Sequence, residues 1–539
     1  MGDSNPIKSE RETAHPTALR QYFAQEEDDI FDKLAPVTKT EEPPQGQAAL
    51  TFYETPTLRS TSSEDLKTSI SASVSYKKEQ EESEAPKIFS YFASSAEVET
   101  AATKDVEGKE STEKRHFWVL KPESRAVLER IKASPGTFFP EKDQLTMPGL
   151  VQTDELGDPV REQIKHFDGP TAAGLRQVPS ADSVSQDVHG FRYLVQANCY
   201  RAAINLCGRL ITEWGQGAKM AGHPSKHSPY SLQLWHARLS LLVLTQQYSV
   251  AQAEASAFGQ LNSPDLYYEF YPELYAAQSG CMASFSFRLL LAELPQFTNR
   301  GSQALDNLSR MLVALRQILS NFEKGLAEDG LNHPSCESLE VWKEREMKVL
   351  SAMATCSISM KDFMSVFSLI TKIIDKSPPS PELNAVLGRC YLQNGDVRKA
   401  QKAFSHASTL RLQTPANNIN AHVDAAYIAM AQNAYTDACK QFELALQIEP
   451  ENPMLLNNLS VCMLYTGRMK EAVVLLEEAI GKRPDLLLHE SILLNVCTLY
   501  ELESSLTVQR KLGMLRLVAQ WKGDSFNIAS LKLQPQTQA

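Results

Sequence analysis

The sequence has 539 residues, of which 42% are hydrophobic and 22% are charged, and its formal net charge is −11. This composition is typical of a soluble globular protein, and the length suffices for roughly two to four domains or for one long array. We find neither an apolar run of about 18 residues nor a signal-peptide pattern, so we expect neither membrane insertion nor secretion.

The first part of the chain is strongly acidic. Residues 1–115 contain 14 Lys+Arg and 23 Asp+Glu, whereas residues 116–539 are nearly balanced. A segment this polar cannot bury enough apolar surface to offset the entropy lost on ordering. We therefore predict that residues 1–115 are a disordered, Ser/Thr-rich tail. Neither part offers the basic face that nucleic acid requires, and we therefore expect no nucleic-acid partner.

Two short aromatic islands occur in this tail: Tyr22-Phe23-Ala24, which precedes Glu26-Glu27-Asp28-Asp29, and Tyr91-Phe92-Ala93. They are either a chance recurrence or short linear motifs that dock in a partner's pocket. In the second case the Ser/Thr-rich flanks would be open to phosphorylation.

Residues 116–187 have an intermediate composition. Trp118, Val127 and Ile131 have the spacing of a short amphipathic helix, and Gly/Pro pairs interrupt the remainder. We predict an extended, partly ordered segment that packs on the next domain through its aromatic side chains.

From Gly190 onward the sequence is dominated by helical patterns, and its main feature is a 34-residue period typical of the tetratricopeptide repeat (TPR). Small residues recur at positions 8, 20 and 27, where antiparallel helices of such a repeat cross closely. Large residues at position 24 fill the layer between the helices. The small residues are Gly388, Ala400, Ala407, Ala426, Ala438, Ala445, Ser460, Ala472 and Ala479.

The period predicts an all-α fold, a TPR-type α-solenoid that follows the disordered acidic tail. Its repeats are residues 347–380, 381–414, 419–452 and 453–486, with an insertion at 415–418 that belongs to a loop. We predict capping helices at 487–522, because terminal repeats are atypical, and a tail at 523–539. Residues 188–346 form a degenerate helical-repeat region, whose alternative is unrelated helical packing.

No catalytic, cofactor-binding or metal-binding constellation emerges, so we predict a protein that is not an enzyme. His223 and His227 have a metal-ligand spacing but lie in a polar loop without an acidic or Cys partner, and we interpret them as loop histidines. The cysteines form no CxxC pair and are expected to be core residues of a reduced protein.

A TPR array binds partners in a concave groove formed by the first helix of each repeat. A chaperone-type carboxylate clamp would need Lys and Asn where this sequence has Ala385 and Arg389, so we do not expect one. The predicted groove is apolar through its middle and suits an amphipathic helix or another subunit. The predicted partner-binding residues are Arg389, Val423, Tyr427, Met430, Asn457, Val461 and Leu464. The alternative is that these side chains pack within the array.

Three stretches indicate a family: His166-Phe167-Asp168-Gly169-Pro170, Tyr200-Arg201-Ala202-Ala203 and Leu493-Leu494-Asn495-Val496-Cys497-Thr498-Leu499-Tyr500. Together with the TPR pattern, they resemble the subunit 12 family of the trafficking protein particle (TRAPP) complex over roughly residues 160–535. The acidic tail is shorter than is usual in that family.

The resemblance implies a non-catalytic scaffold subunit of the TRAPP III tethering assembly, with the other TRAPP subunits, the large ones foremost, as partners. That assembly promotes nucleotide exchange on a Rab-family GTPase in traffic from the endoplasmic reticulum (ER) to the Golgi and in autophagy, and catalysis is attributed to other, small subunits. The implied location is the cytoplasm, peripheral at the ER–Golgi intermediate compartment and the Golgi. The alternative is a TPR adaptor that binds short peptide motifs, including a role in kinetochore assembly during mitosis.

Overall fold

The computed structural model describes residues 117–134, 138, 140–275, 278–328, 330, 339–411, 419–503 and 506–533. These residues contain α-helices, short 3-10 helices and two isolated bridges but no β-strand. The predicted all-α, TPR-type fold class is confirmed. The acidic tail 1–115, its two aromatic islands and the insertion 415–418 lie outside the described residues. Within the described ranges, no helix combines the length and the apolar character needed to cross a membrane.

The described residues contain twenty α-helices. They are α1 (Pro122–Ala133), α2 (Pro159–Phe167), α3 (Pro170–Leu175), α4 (Val188–Gln196), α5 (Tyr200–Glu213), α6 (Pro229–Leu244), α7 (Tyr248–Ala255), α8 (Phe285–Glu293), α9 (Gly301–Glu323), α10 (Leu339–Ser359), α11 (Phe363–Lys376), α12 (Pro381–Gln393), α13 (Val397–Arg411), α14 (Ile419–Ala431), α15 (Tyr435–Ile448), α16 (Pro453–Tyr465), α17 (Met469–Lys482), α18 (Pro484–Leu487), α19 (Glu490–Glu503) and α20 (Thr507–Trp521).

The chain divides into two compact units. Among the described residues, the repeat unit contains residues 370–511 and 530–532, and the N-terminal unit contains residues 117–369, 512–529 and 533. The division falls inside α11 and inside α20, so each of these helices contributes to both units.

In the repeat unit, α12 packs on α13, α14 on α15, and α16 on α17. The first helices of these pairs begin at Pro381, Ile419 and Pro453, the first residue of each 34-residue window. Proline suits the first turn of a helix because the amide it lacks would have no intrahelical partner there. Successive pairs also pack on each other, α13 on α14 and α15 on α16, and α19 contacts both α16 and α17.

The small residues lie where the helices of a pair approach most closely. A Cβ added at Gly388 on α12 would lie 2.6 Å from the Phe404 ring of α13, which is too close for any real side chain. Ala400, Ala438 and Ala472 are completely buried. A side chain of any size at these crossings would therefore force the helices apart.

Six helix hairpins close with the same turn. One residue in each has a left-handed backbone with φ between 54° and 83°, and the next amide donates to the carbonyl five residues earlier at 2.8–2.9 Å. This is the Schellman ending, which satisfies carbonyls that the helix leaves free. The left-handed residues are Asn198, Gln246, Lys361, Gly395, Asn433 and Gly467. Three of the six hairpins lie in the N-terminal unit, so its helices turn like those of the repeat unit.

Residues 116–187 are more ordered than an extended segment, since the described part contains α1, α2 and α3. Asp158 accepts hydrogen bonds from two amides of the first turn of α2 and pairs with Arg176 at 2.6 Å. The Arg176 guanidinium also donates to the carbonyls of Ala519 and Gly523. This part of the N-terminal unit is thereby fixed to the C-terminal end of α20.

Part of the predicted tail 523–539 is buried. The Asp524 carboxylate accepts hydrogen bonds from the amides of Arg201 and Ala202 at the start of α5, at 3.1 and 2.7 Å. A Cβ added at Gly523 would lie 2.3 Å from the carbonyl oxygen of Asn198, so the chain passes the turn before α5 too closely for a side chain at this position. Asp524 is thus a buried part of the N-terminal unit and no free tail residue, and it supplies the partner that the amides at the start of α5 need.

Candidate functional site

Most of the predicted groove residues are buried. Arg389 and Leu464 are half-buried, and the other five are at most 3% exposed: Val423, Tyr427, Met430, Asn457 and Val461. The structure places these residues on three successive first helices, as predicted, but not on an open surface of the described chain. Whether partners reach them stays a prediction.

The contacts of these side chains explain their burial. The Tyr427 ring on α14 meets Phe442 of α15 edge-on at 6.3 Å, and its hydroxyl lies 3.9 Å from the Met454 sulfur of α16. Asn457 on α16 accepts a hydrogen bond from the Asn495 amide of α19 at 2.9 Å. The first helices therefore use these positions to pack on one another. A charge introduced there would destabilise the repeat unit before it affected a partner.

Further polar pairs, each with one buried member, hold neighbouring helices of the repeat unit in register. The His406 ring nitrogen lies 2.9 Å from the Asn384 side-chain oxygen, and Arg411 pairs with Asp424 at 2.6 Å. Burial raises the pKa of Asp424, and Arg411 opposes that shift. Such pairs are specific in geometry, because a partner that shifts by one turn leaves a buried polar group unsatisfied.

An exposed aromatic surface lies at one end of the repeats. The rings of Tyr435 on α15 and Tyr465 on α16 stack at 4.5 Å with an angle of 10°, and Tyr465 is 52% exposed. We call these two residues the tyrosine pair. Tyrosine is enriched at protein interfaces because its ring is apolar and its hydroxyl can hydrogen-bond. Sequence reasoning missed the pair, because it considered only groove positions, although both residues flank the turns of their repeats.

His227 differs from the sequence-based interpretation. Its ring is buried, with Nε2 at 2.6 Å from the Thr146 hydroxyl and 3.5 Å from Asp265. Thr146 in turn donates to Asp265 at 2.7 Å. A hydroxyl, an imidazole and a carboxylate thus meet, but all three are almost inaccessible, and the hydroxyl proton is directed to the carboxylate. This arrangement ties residue 146 to the loop before α6 and to the 3-10 turn at residues 264–266, and it suits no nucleophilic role.

Metal-ligand clusters and cysteines are the remaining candidates for a reactive centre in the described ranges. These ranges contain no group of three or more His, Cys, Asp or Glu side chains that could hold a metal ion. The eight described cysteines are buried, and burial raises the pKa of Cys207, Cys390 and Cys497 to about 12. Thiols of this kind stay protonated and unreactive at neutral pH.

The repeated helix pairs define the class of protein. A family model of the tetratricopeptide repeat matches residues 429–490, which contain all of α15, α16 and α17. Yeast Tom70 is similar in structure with 13% identity, covering 70% of this chain and 85% of that one, at a TM-score of 0.29. Because that score is low, the assignment depends on the helix pairs and the family model. The chain has a TPR-type α-solenoid fold.

Two relatives show which family the chain resembles. Trafficking protein particle complex subunit 12 of Mus musculus is 40% identical over 425 residues, which cover 77% of this chain and 53% of that protein. The Homo sapiens protein of the same name is 38% identical over 425 residues, covering 77% of this chain and 58% of that protein. The chain therefore spans a little over half the length of these relatives. The resemblance to the TRAPP complex subunit 12 family is confirmed.

Proposed function

We propose that this chain is a non-catalytic scaffold subunit of a TRAPP-type vesicle-tethering complex. The observation that supports the proposal is the identity of about 40% to relatives named trafficking protein particle complex subunit 12, which extends over 77% of the chain. More specifically, we propose that the complex acts as a Rab exchange factor in ER-to-Golgi traffic and in autophagy. Other subunits, mainly the large ones of TRAPP III, are then the partners.

The architecture suits a scaffold. Stacked helix pairs present a long surface whose shape is fixed by tight crossings, and such surfaces bind other proteins without a reaction centre. The tyrosine pair supplies an exposed aromatic anchor on that surface. The proposed location is accordingly cytoplasmic and peripheral at the ER–Golgi intermediate compartment and the Golgi, where partner subunits rather than this chain contact the membrane.

The test is purification of the tagged full chain from cells under gentle conditions, followed by size-exclusion chromatography and mass spectrometry. We expect stoichiometric co-elution with other TRAPP subunits in one large assembly. A chain that elutes alone and captures peptide-motif clients transiently would contradict the scaffold proposal and support the TPR-adaptor alternative, including its kinetochore role.

A substitution in the tyrosine pair tests whether this surface binds another subunit. Tyr465→Glu places a charge in the exposed tyrosine pair and should reduce co-elution of at least one subunit. Lys440→Glu changes an exposed residue of α15 and serves as the matched control, because its side chain makes only a surface ion pair with Asp437. If both variants assemble like the wild type, the tyrosine pair is not a subunit interface.

A further inference from the structure

We infer that the N-terminal unit contains a binding pocket for an acidic peptide with aromatic anchors, and that its occupant is residues 22–29 of the same chain. The pocket has a volume of about 550 Å³, which is in the usual range for ligand sites. The walls come from residues 118–122, from residues 259–262 and from the facing sides of α8 and α9.

The base of the pocket is apolar and partly aromatic. Trp118 lies over the Arg288 guanidinium at 4.4 Å and contacts Phe285 at 6.2 Å. Leu291 and Met311 complete the apolar lining from α8 and α9. A surface of this kind accommodates flat aromatic side chains, since rings gain most when they are buried against apolar and cationic groups.

The charge of the pocket is positive. Its lining includes Lys121, Arg288 and Arg310 but no carboxylate. Arg288 is buried, and its side chain donates to the neutral carbonyls of Gln260 and Leu261 and to Asn262. In the described part of the chain, no carboxylate forms an ion pair with any of the three cations. Buried or clustered cations without counter-charge attract an anionic partner.

Residues 22–29 match both properties. Tyr22 and Phe23 supply two aromatic rings, and the next residues include four consecutive carboxylates, Glu26 to Asp29. The other aromatic island, around Tyr91, follows the carboxylates Glu79, Glu81, Glu82 and Glu84, but these do not form one unbroken run and Lys87 lies between them and the rings. The chemistry of the pocket therefore favours the first island.

The connection along the chain is also favourable. Residues 118–122 form one wall of the pocket, so the N-terminal part of the chain joins the described residues beside it. Residues 30–116 separate the motif from this wall, and an extended chain spans about 3.3 Å per residue, so reach does not limit binding. A ligand tethered in this way has an effective concentration that a free competitor must exceed. The consequence is a pocket occupied in cis until a partner displaces the tail.

Hydrogen–deuterium exchange of the full chain tests this inference. We expect that the double variant Tyr22→Ser/Phe23→Ser loses exchange protection both at residues 18–30 and at residues 118–122. The matched control Tyr91→Ser/Phe92→Ser changes the other island and should leave the pocket segments unchanged. A loss of protection only in the control variant would overturn the assignment, and so would no change in either variant.

A charge exchange makes the test specific. Lys121→Glu/Arg310→Glu alters two exposed pocket residues and should release the tail, as should Glu27→Lys/Asp28→Lys. The combination of all four changes should restore protection, which a merely misfolded variant could not do. Failure of the combination to restore it would contradict the pairing. Protection that disappears on dilution would show that a second copy, rather than the same chain, is the occupant.

Discussion

The repeat unit and the N-terminal unit stabilise similar helix hairpins in different ways. In the repeat unit, the hairpins stack through small residues such as Ala400 and Ala438, which let helices approach closely. In the N-terminal unit, buried polar contacts fix non-helical segments to the helices: Arg238 pairs with Glu254 at 2.7 Å, and Glu254 also accepts a hydrogen bond from the amide of Val151. Regular helices satisfy their own backbone groups, so their stacking depends mainly on spacing, with side-chain pairs such as Arg411–Asp424 added between helices, whereas irregular backbone needs side-chain partners for its polar groups.

The largest expected effect concerns the buried ion pair of the N-terminal unit. Arg238→Ala leaves Glu254 buried without a counter-charge, which should cost about 3–5 kcal/mol in the free energy of unfolding. The control Arg209→Ala removes solvent-accessible pairs with Glu155 and Asp182 and should cost at most about 1 kcal/mol. Urea denaturation followed by circular dichroism measures both values. Equal losses would show that the buried pair has no special role.

A second prediction uses pH to separate the units. Burial raises the pKa of Asp524 in the N-terminal unit to about 6, above its ordinary value of 3.8. The folded state therefore binds this proton more tightly than the unfolded state does. The protonated carboxyl stabilises the folded state below about pH 4, and this stabilisation is lost as the pH rises toward about 6. Relative to Asp524→Asn, the wild type should lose on the order of 2–3 kcal/mol of stability over this interval.

The measurement for Asp524 is the difference between the unfolding free energies of wild type and Asp524→Asn at several pH values. Because both proteins share all other titrating groups, the difference isolates this carboxylate. A difference that stays constant between pH 4 and 7 would contradict the role assigned to its burial.

A smaller change in stability is expected at the left-handed turn that hairpins of both units share. Gln246 has a left-handed backbone with φ 60° in the N-terminal unit, where Gly467 has φ 80° in the repeat unit. Gln246→Gly should relieve strain and stabilise the N-terminal unit by about 0.5–1 kcal/mol, whereas Gly467→Gln should cost about 1 kcal/mol. Thermal unfolding detects the two opposite shifts. Shifts of the same sign would mean that the turns are not equivalent.

The TPR-type fold of the repeat unit could be predicted from the sequence, for a physical reason. Close crossings require small residues at fixed intervals, so Gly388, Ala438 and Ala472 leave a period that can be read without coordinates. The turns were harder to predict from the sequence, because Gln246 and Lys361 adopt the left-handed backbone at positions where glycine is usual.

Long-range polar contacts could not be predicted in this way. Arg176 binds the carbonyl of Ala519, and Asp524 binds the amides of α5, across more than 300 residues of sequence. Such contacts have no period, and their partners are backbone groups that any residue provides. For the same reason the sequence assigned residues 523–539 to a tail and His227 to a polar loop without an acidic partner, although Asp524 and His227 both take part in buried hydrogen bonds.

The central claim is that the helices of the repeat unit cross so closely that only small residues fit between them. One pair of glycine substitutions tests this claim most directly. Gly388→Ala adds a methyl group 2.6 Å from the Phe404 ring, while Gly481→Ala adds one in open space on α17. We expect Gly388→Ala to destabilise by roughly 1–2 kcal/mol despite the better helix propensity of alanine, and Gly481→Ala to stabilise by up to about 1 kcal/mol. Stabilisation by both substitutions would show that α12 and α13 do not cross as closely as the account requires.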